Sequence, residues 1–326
     1  MKAIVMDGPK KSKIIEVPMV KIDDHQVLIK IKYVGVCMSE HYGWSVANEG
    51  DAFGHEPMGV IVEVGKDVEG FNVGDKVGGY WDDPVPGVRS MVEYAVADPK
   101  VDCVIKLPEH LREVDMIVEP LACIMSAVSK ARLNMPGETV AVVGCGYMAC
   151  GAIGLLKKRG AYVVAVDIQP AALELAKKYG ADEAYLADEA RQRFVNGDFP
   201  GFDVVMEWAE TNESLDLAIN LTKQCGQLCI GGYHTGGKRL VDVQQLNVKA
   251  IECLSVHPRE RDLLWNGAVG AVKLLGSGVW NYTNLKVKVY PMNKYDLAQE
   301  EMEKKYGKWE KSVIDMTMKD GEPYII

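Results

Sequence analysis

The sequence predicts an α/β protein in two parts, a β-rich unit and a doubly wound parallel sheet, and three observations carry that expectation. The first hundred residues alternate short β-like runs with Gly, Pro, Asp and Asn turn signals. Near Val114 the pattern changes to strand and helix in alternation. A glycine turn then stands where an uncharged strand hands over to a helix.

The β-rich runs are KAIVM, QVLIKIKYVGV, GVIVEVG, DKVGGY and MVEYAVAD. DMIVEPLACIMSAVSKARL follows as a helix, ETVAVVGCG as a buried strand, GAIGLLKKRGA as a helix and AYVVAVD as a strand. AALELAKKYGA continues as a helix, and FDVVMEW and QLCIGGY as further strands. Strands that are β-branched and nearly free of charge belong in a parallel sheet covered on both faces. After residue 259 the pattern is mixed.

With 326 residues the chain is long enough for two cores. Its formal net charge of −9, with no local cluster of Lys and Arg, excludes nucleic acid and anionic membranes as partners. The basic start lacks an apolar stretch behind it, so no signal peptide is expected, and the chain is predicted to be cytoplasmic. Thr139 to Leu156 carries no charge, but its glycines fit a strand, a turn and a packed helix better than a membrane span. Eight cysteines without a C-x-x-C pair are expected to be reduced, and Cys37 stands apart because its neighbours are polar.

The glycine turn is Gly144-Cys145-Gly146-Tyr147-Met148-Ala149, a G-x-G-x-x-A sequence between a strand and a helix. Gly144 permits the tight turn, Gly146 lets backbone amides approach a pyrophosphate, and Ala149 allows close packing. Asp167 ends the next strand 23 positions after Gly144, where a carboxylate accepts from a ribose diol. It also repels a 2′-phosphate, and Ile168-Gln169-Pro170 supplies no Arg to receive one. NAD is therefore expected, with Gly144, Gly146, Tyr147, Met148 and Asp167 as its candidate contacts.

A second group lies earlier. GHEPMG, residues 54–59, places His55 and Glu56 side by side, and GVCMSEHYG contains Cys37. With Glu119 of MIVEPLACIM these supply S, N and O donors of the kinds zinc takes. Each residue taken singly has another reading: a buried thiol, a hydrogen-bonded loop histidine, solvated carboxylates. An unpaired Glu119 would sit at a cost in its apolar setting. The spacing leaves both readings open.

The segments GVCMSEHYG, GHEPMGVIVEVG, FNVGDKV, VEPLACIMSAV, the glycine turn with Asp167, and WEKSVID resemble the zinc-dependent medium-chain dehydrogenases, in the sorbitol (polyol) dehydrogenase branch, from end to end. That resemblance implies a GroES-like β domain built from residues 1–121 and 260–326, with a Rossmann NAD-binding domain over 122–259 between them. It implies a catalytic zinc on Cys37, His55 and Glu56, with Glu119 binding directly or through water. It makes Ser39 the proton-relay hydroxyl. The relay histidine's usual position, three beyond that serine, holds Tyr42, and His41 lies one place early as the candidate end of the path or as a surface histidine. Met38 stands where the family often carries a phosphate-contacting Arg, and Tyr147 where it often carries Pro. GGYWDDPVPGVRSMVEYAV is short and lacks cysteine, so no structural zinc is expected.

The resemblance implies reversible oxidation of a secondary alcohol of polyol, sugar or cyclitol type with NAD, in a dimer or tetramer. Two competitors are a zinc-free NADPH quinone or enoyl reductase and a non-catalytic NAD-binding protein. Asp167 and the Cys-His-Glu donors speak against the first. The intact donor set speaks against the second.

Overall fold

Turn-punctuated alternation in the N-terminal third builds strands. The computed structural model describes residues 1–81, 87–305 and 307–326. β1 (Lys2–Gly8) and β2 (Lys11–Glu16) form an antiparallel ribbon. β3 (Val27–Gly35) is followed by the short helix α1 (His41–Ser45), then β4 (Pro57–Val64), β5 (Lys76–Tyr80), β6 (Tyr94–Ala97) and β7 (Cys103–Lys106). α2 (Val118–Lys130) carries Pro120 in its first turn, where the missing N–H has no helical partner to lose.

The alternating region follows with β8 (Thr139–Val143), α3 (Tyr147–Lys158), β9 (Tyr162–Asp167), α4 (Pro170–Lys178), β10 (Glu183–Leu186), β11 (Phe202–Glu207), β12 (Thr222–Ile230) and β13 (Glu252–Ser255). These six strands pair in parallel in the order β10-β9-β8-β11-β12-β13, a doubly wound sheet whose direction reverses between β8 and β11. Thr139 to Leu156 is thus a strand, a turn and a helix. Among the described residues no helix is long and apolar enough to cross a membrane.

β14 (Val287–Pro291), β15 (Lys311–Asp315) and β16 (Tyr324–Ile325) return to the first sheet. Its order is β16-β14-β15-β3-β4-β5-β7, with β6 also on β3. β15 runs antiparallel to β3 with Val313 opposite Gly35, so the two ends of the chain meet beside Cys37. The returning segment also docks on α3. Trp280 and Tyr282 are 1% and 0% exposed, and they donate to the Gly151 and Tyr147 carbonyls at 3.1 and 2.6 Å. Gly151 and Gly154 leave room for the indole. Emptying the Trp280 site would cost about 3–5 kcal/mol.

Two readings of the sequence are amended. β10 was not anticipated: EAYL is half-buried throughout on the sheet edge, so it shows neither alternation nor a continuous apolar run. The mixed stretch after residue 259 contains a 16-residue helix, Arg261–Gly276. Pro57 and Gly59 lie in β4. Pro57 opens the strand, where its missing donor is tolerated, and Gly59 is required because a side chain there would strike the Lys30 carbonyl of β3. The stretch where no structural zinc is expected lies partly outside the described residues, at positions 82–86.

Candidate metal centre and nucleotide turn

Cys37 follows β3 at the start of a single 3-10 turn, and Ser39 in that turn donates to its Sγ at 3.2 Å. His55 and Glu56 lead into β4, and Gly35 N–H donates to the Glu56 carbonyl at 2.9 Å. That pairing sets the His-Glu dipeptide against the end of β3. One donor atom each from Cys37, His55 and Glu56 lies within 4.8 Å of the others. A soft thiolate, an imidazole and a carboxylate converging this closely fit zinc by their chemistry.

Glu119, in the first turn of α2, is not part of that tight group. Its Oε1 accepts from Cys123 Sγ at 3.3 Å. Burial pushes its carboxyl above the ordinary range; the His55 ring opposes this and Glu56 reinforces it. Glu119 is therefore close enough to feel the other donors while turned to its own helix.

Three residues that sequence reasoning missed hold the group in place. Glu40 is 8% exposed, and its Oε1 accepts from Gly54 N–H at 2.7 Å and meets His55 Nδ1 at 2.7 Å. A carboxylate on one ring nitrogen fixes the tautomer that leaves the other free for a metal. Burial works against a charged His55 ring, but its Cys37 and Glu40 partners outweigh that and raise its pKa to about 12, a proton that metal binding must displace. Lys311 of β15 places Nζ 2.5 Å from Glu56 Oε2, with side chains only 6% and 1% exposed. Its ammonium also reaches the Val36 carbonyl at 3.3 Å. Gly35 is the third, because any side chain there would run into the Glu56 carboxylate. The S-E pair after Cys37 and the lysine in WEKSVID were visible, but nothing local marked them as neighbours of His55 and Glu56.

Burial raises the Cys37 thiol, as does the Glu56 carboxylate, while His55 and Lys311 pull it back. His41 takes no part in this arrangement. Its ring lies 5.3 Å from that of Trp44, and its Nε2 is 3.5 Å from Glu303. Tyr42 is 50% exposed.

The glycine turn has the geometry its sequence requires. Gly144 has φ +86°, and a side chain there would come within 2.8 Å of Ala209. Gly146 caps α3, and the space where its side chain would stand is open. That opening at a helix N-terminus suits a phosphate. Asp167 braces the turn, accepting from Cys145 N–H at 2.6 Å and Gln169 N–H at 2.8 Å. Met148 packs against the core. The Tyr147 ring is buried, 5.5 Å from Tyr282, with Lys311 Nζ 5.0 Å from its centroid. A side chain that fills the space between α3 and the Glu56–Lys311 pair accounts for tyrosine here, where the sequence offered no reason for it.

Lys305 also belongs to this region, with Nζ donating to the Glu310 carbonyl at 3.0 Å. Burial, then the Lys311 ammonium, push its pKa from 10.5 down to about 8. Below pH 8 the folded chain therefore holds this charge at a cost. Between pH 8 and 10.5 the unfolded chain binds the proton that the folded chain has released, so this group's contribution makes stability rise with pH. Lys305→Met is expected to raise the melting temperature at pH 7 by on the order of 2 °C. The difference should shrink above pH 8 and vanish near pH 10.5, which melts across that range would check.

The chain is similar to several known proteins. A family model described as zinc-binding dehydrogenase matches residues 144–262, and one described as alcohol dehydrogenase GroES-like domain matches residues 23–109. Sorbitol dehydrogenase of Bacillus subtilis is 30% identical over 71% of this chain and 75% of its own length. A probable D-xylulose reductase A of Arthroderma otae is 28% identical over 96% of each chain. Among solved structures, 2R,3R-butanediol dehydrogenase from Bacillus subtilis superposes with a TM-score of 0.76 at 22% identity, over 96% of this chain and 99% of that one. The last likeness speaks for the fold.

Proposed function

The chain belongs to the zinc-dependent medium-chain dehydrogenases, in their polyol dehydrogenase branch, and from that premise we propose that it interconverts a polyol-type secondary alcohol and its ketone using NAD and a single zinc. The observation that carries the proposal is the convergence of Cys37, His55 and Glu56 within 4.8 Å, with Glu40 bonded to the far nitrogen of the histidine. Glu119 is the fourth donor, directly or through water.

Zinc held by Cys37, His55 and Glu56 would supply Lewis acidity, and a nicotinamide dinucleotide held at the glycine turn would supply a hydride acceptor. The chain's own residues do the rest. Ser39, beside Cys37 Sγ, relays the proton that leaves the substrate hydroxyl, accepting it at Oγ as its own hydroxyl hydrogen passes outward to solvent. Glu40 holds the His55 ring in one tautomer. Lys311 supplies the cation that faces the buried Glu56 side chain at 2.5 Å. Tyr147 and the α3 backbone bring the nucleotide turn against that ion pair. Asp167 braces the turn and offers its carboxylate to a ribose diol.

The sorbitol and xylulose names of the similar proteins point to substrates with vicinal hydroxyls. Zinc-loaded protein incubated with sorbitol, xylitol and 2,3-butanediol, with NAD⁺ or NADP⁺, should form reduced nicotinamide with NAD⁺ preferred. No turnover with any alcohol, by protein that holds both zinc and NAD, would move the reading to the non-catalytic role. Asp167→Ser should raise the KM for NAD⁺ about tenfold, the worth of a charged hydrogen bond, and narrow the preference over NADP⁺. Unchanged steady-state constants for both cofactors would remove Asp167 from the ribose site.

A further inference from the structure

Glu207 ends β11 and is fully buried. Its Oε1 accepts from Ala209 N–H and Glu210 N–H at 2.8 Å each and from Ser214 Oγ at 2.7 Å. Its Oε2 meets His234 Nε2 at 2.8 Å. The carboxylate can only accept, so Nε2 carries the hydrogen, and in the tautomer this selects Nδ1 is the ring's acceptor. That nitrogen is buried without a hydrogen-bond partner, on a ring only 13% exposed. Buried polar atoms are ordinarily satisfied, so an acceptor held this way marks a place for a donor.

The dyad's position identifies the donor. Asp167 on β9 serves the adenosine side and the turn after β8 the pyrophosphate, so a dinucleotide's second half falls across the ends of β11 and β12. His234 lies just past β12, with a left-handed backbone at φ +52°, and Glu210 past β11 has φ +65°. Strained residues persist only where surrounding bonds hold them. Arg239 does this, donating to the carbonyls of Glu210, Thr235 and Gly237 at 3.1, 2.8 and 3.2 Å. Gly236 of the same loop rests against the Tyr42 ring, three residues beyond Ser39. His41, the imidazole nearest Ser39 in sequence, lays its ring against Trp44 and its Nε2 3.5 Å from Glu303, and its Nδ1 too is buried without a partner.

We propose that Glu207 and His234 form a cofactor-gripping dyad in which His234 Nδ1 accepts a hydrogen bond from the nicotinamide riboside half of the dinucleotide, either a ribose hydroxyl or the carboxamide N–H. The inference rests on the reading that the chain binds NAD. His234 is a cofactor contact and Glu207 a positioning residue that fixes its tautomer.

Glu207→Gln tests this directly. The glutamine oxygen still accepts from the loop amides, while its amide donates to His234 Nε2 and forces the hydrogen onto Nδ1. The loop stays clamped, but the acceptor becomes a donor. Titration calorimetry on zinc-loaded protein should show NADH bound about tenfold more weakly, with ADP affinity and melting temperature unchanged. His234→Asn, which tolerates the left-handed backbone, should lose a similar factor for NADH alone. NADH affinity equal to wild type in Glu207→Gln would overturn the proposal, and so would equal losses for NADH and ADP. Reduced 3-acetylpyridine adenine dinucleotide keeps the ribose hydroxyls and lacks the amide N–H. A tenfold loss on this analogue too supports the ribose contact, and no loss on it while NADH is weakened supports the amide. Wild type that binds neither NADH nor ADP would overturn the dinucleotide reading itself.

Discussion

Cys37→Ser is expected to lose the metal and, with it, turnover by at least about a thousandfold, or roughly 4 kcal/mol of transition-state stabilisation. Serine nearly matches cysteine in volume, so the packing around β3 should survive. What disappears is the thiolate, since a serine hydroxyl does not ionise near neutral pH and is a poor zinc ligand. The remaining donors, His55 and Glu56, already have protein partners in Glu40 and Lys311 that compete for them. Mass spectrometry on freshly purified protein should find about one zinc per chain in wild type and little in the variant, with NADH binding retained. Two zincs would reveal a structural site that the short stretch after β5 was not expected to hold. Wild type that carries no metal without having met a chelator would remove the zinc mechanism.

Removing the cation behind the centre should cost comparably in stability. Lys311→Met leaves the Glu56 carboxylate, 1% exposed, without its partner at 2.5 Å. Breaking a buried pair from one side typically destabilises by about 3–5 kcal/mol, because the orphaned charge stays desolvated. Denaturant melts of metal-free protein should show a loss of that order. Glu56→Gln together with Lys311→Met should recover much of it, since no charge is then stranded. With zinc bound the cost should be smaller, because the metal's charge then faces Glu56. A Lys311→Met variant as stable as wild type in the metal-free state would mean that the pair contributes nothing.

The elements that could be read from the chain are those whose signal is local. Alternation gave β3 and β4, uncharged β-branched runs gave β8 and β9, and G-x-G-x-x-A between strand and helix gave a turn with Gly144 at φ +86°. β10 was illegible because an edge strand with every residue half-buried has no periodicity to detect. Cys37, His55 and Glu56 could be nominated by residue type and by resemblance, and spacing alone left their meaning open.

Legible along the chain is therefore the local chemistry: the donors, the glycine turn with its acid, and the alternation that makes a covered parallel sheet. The tertiary structure decided which of these groups face one another. Lys311 reaches Glu56 only because β15 pairs with β3 across most of the chain, Glu40 reaches His55 because the turn after β3 folds beneath the approach to β4, and His234 reaches Glu207 because β11 and β12 lie side by side. Such partners are invisible to periodicity, because strand pairing brings together residues whose separation along the chain carries no information about their contact.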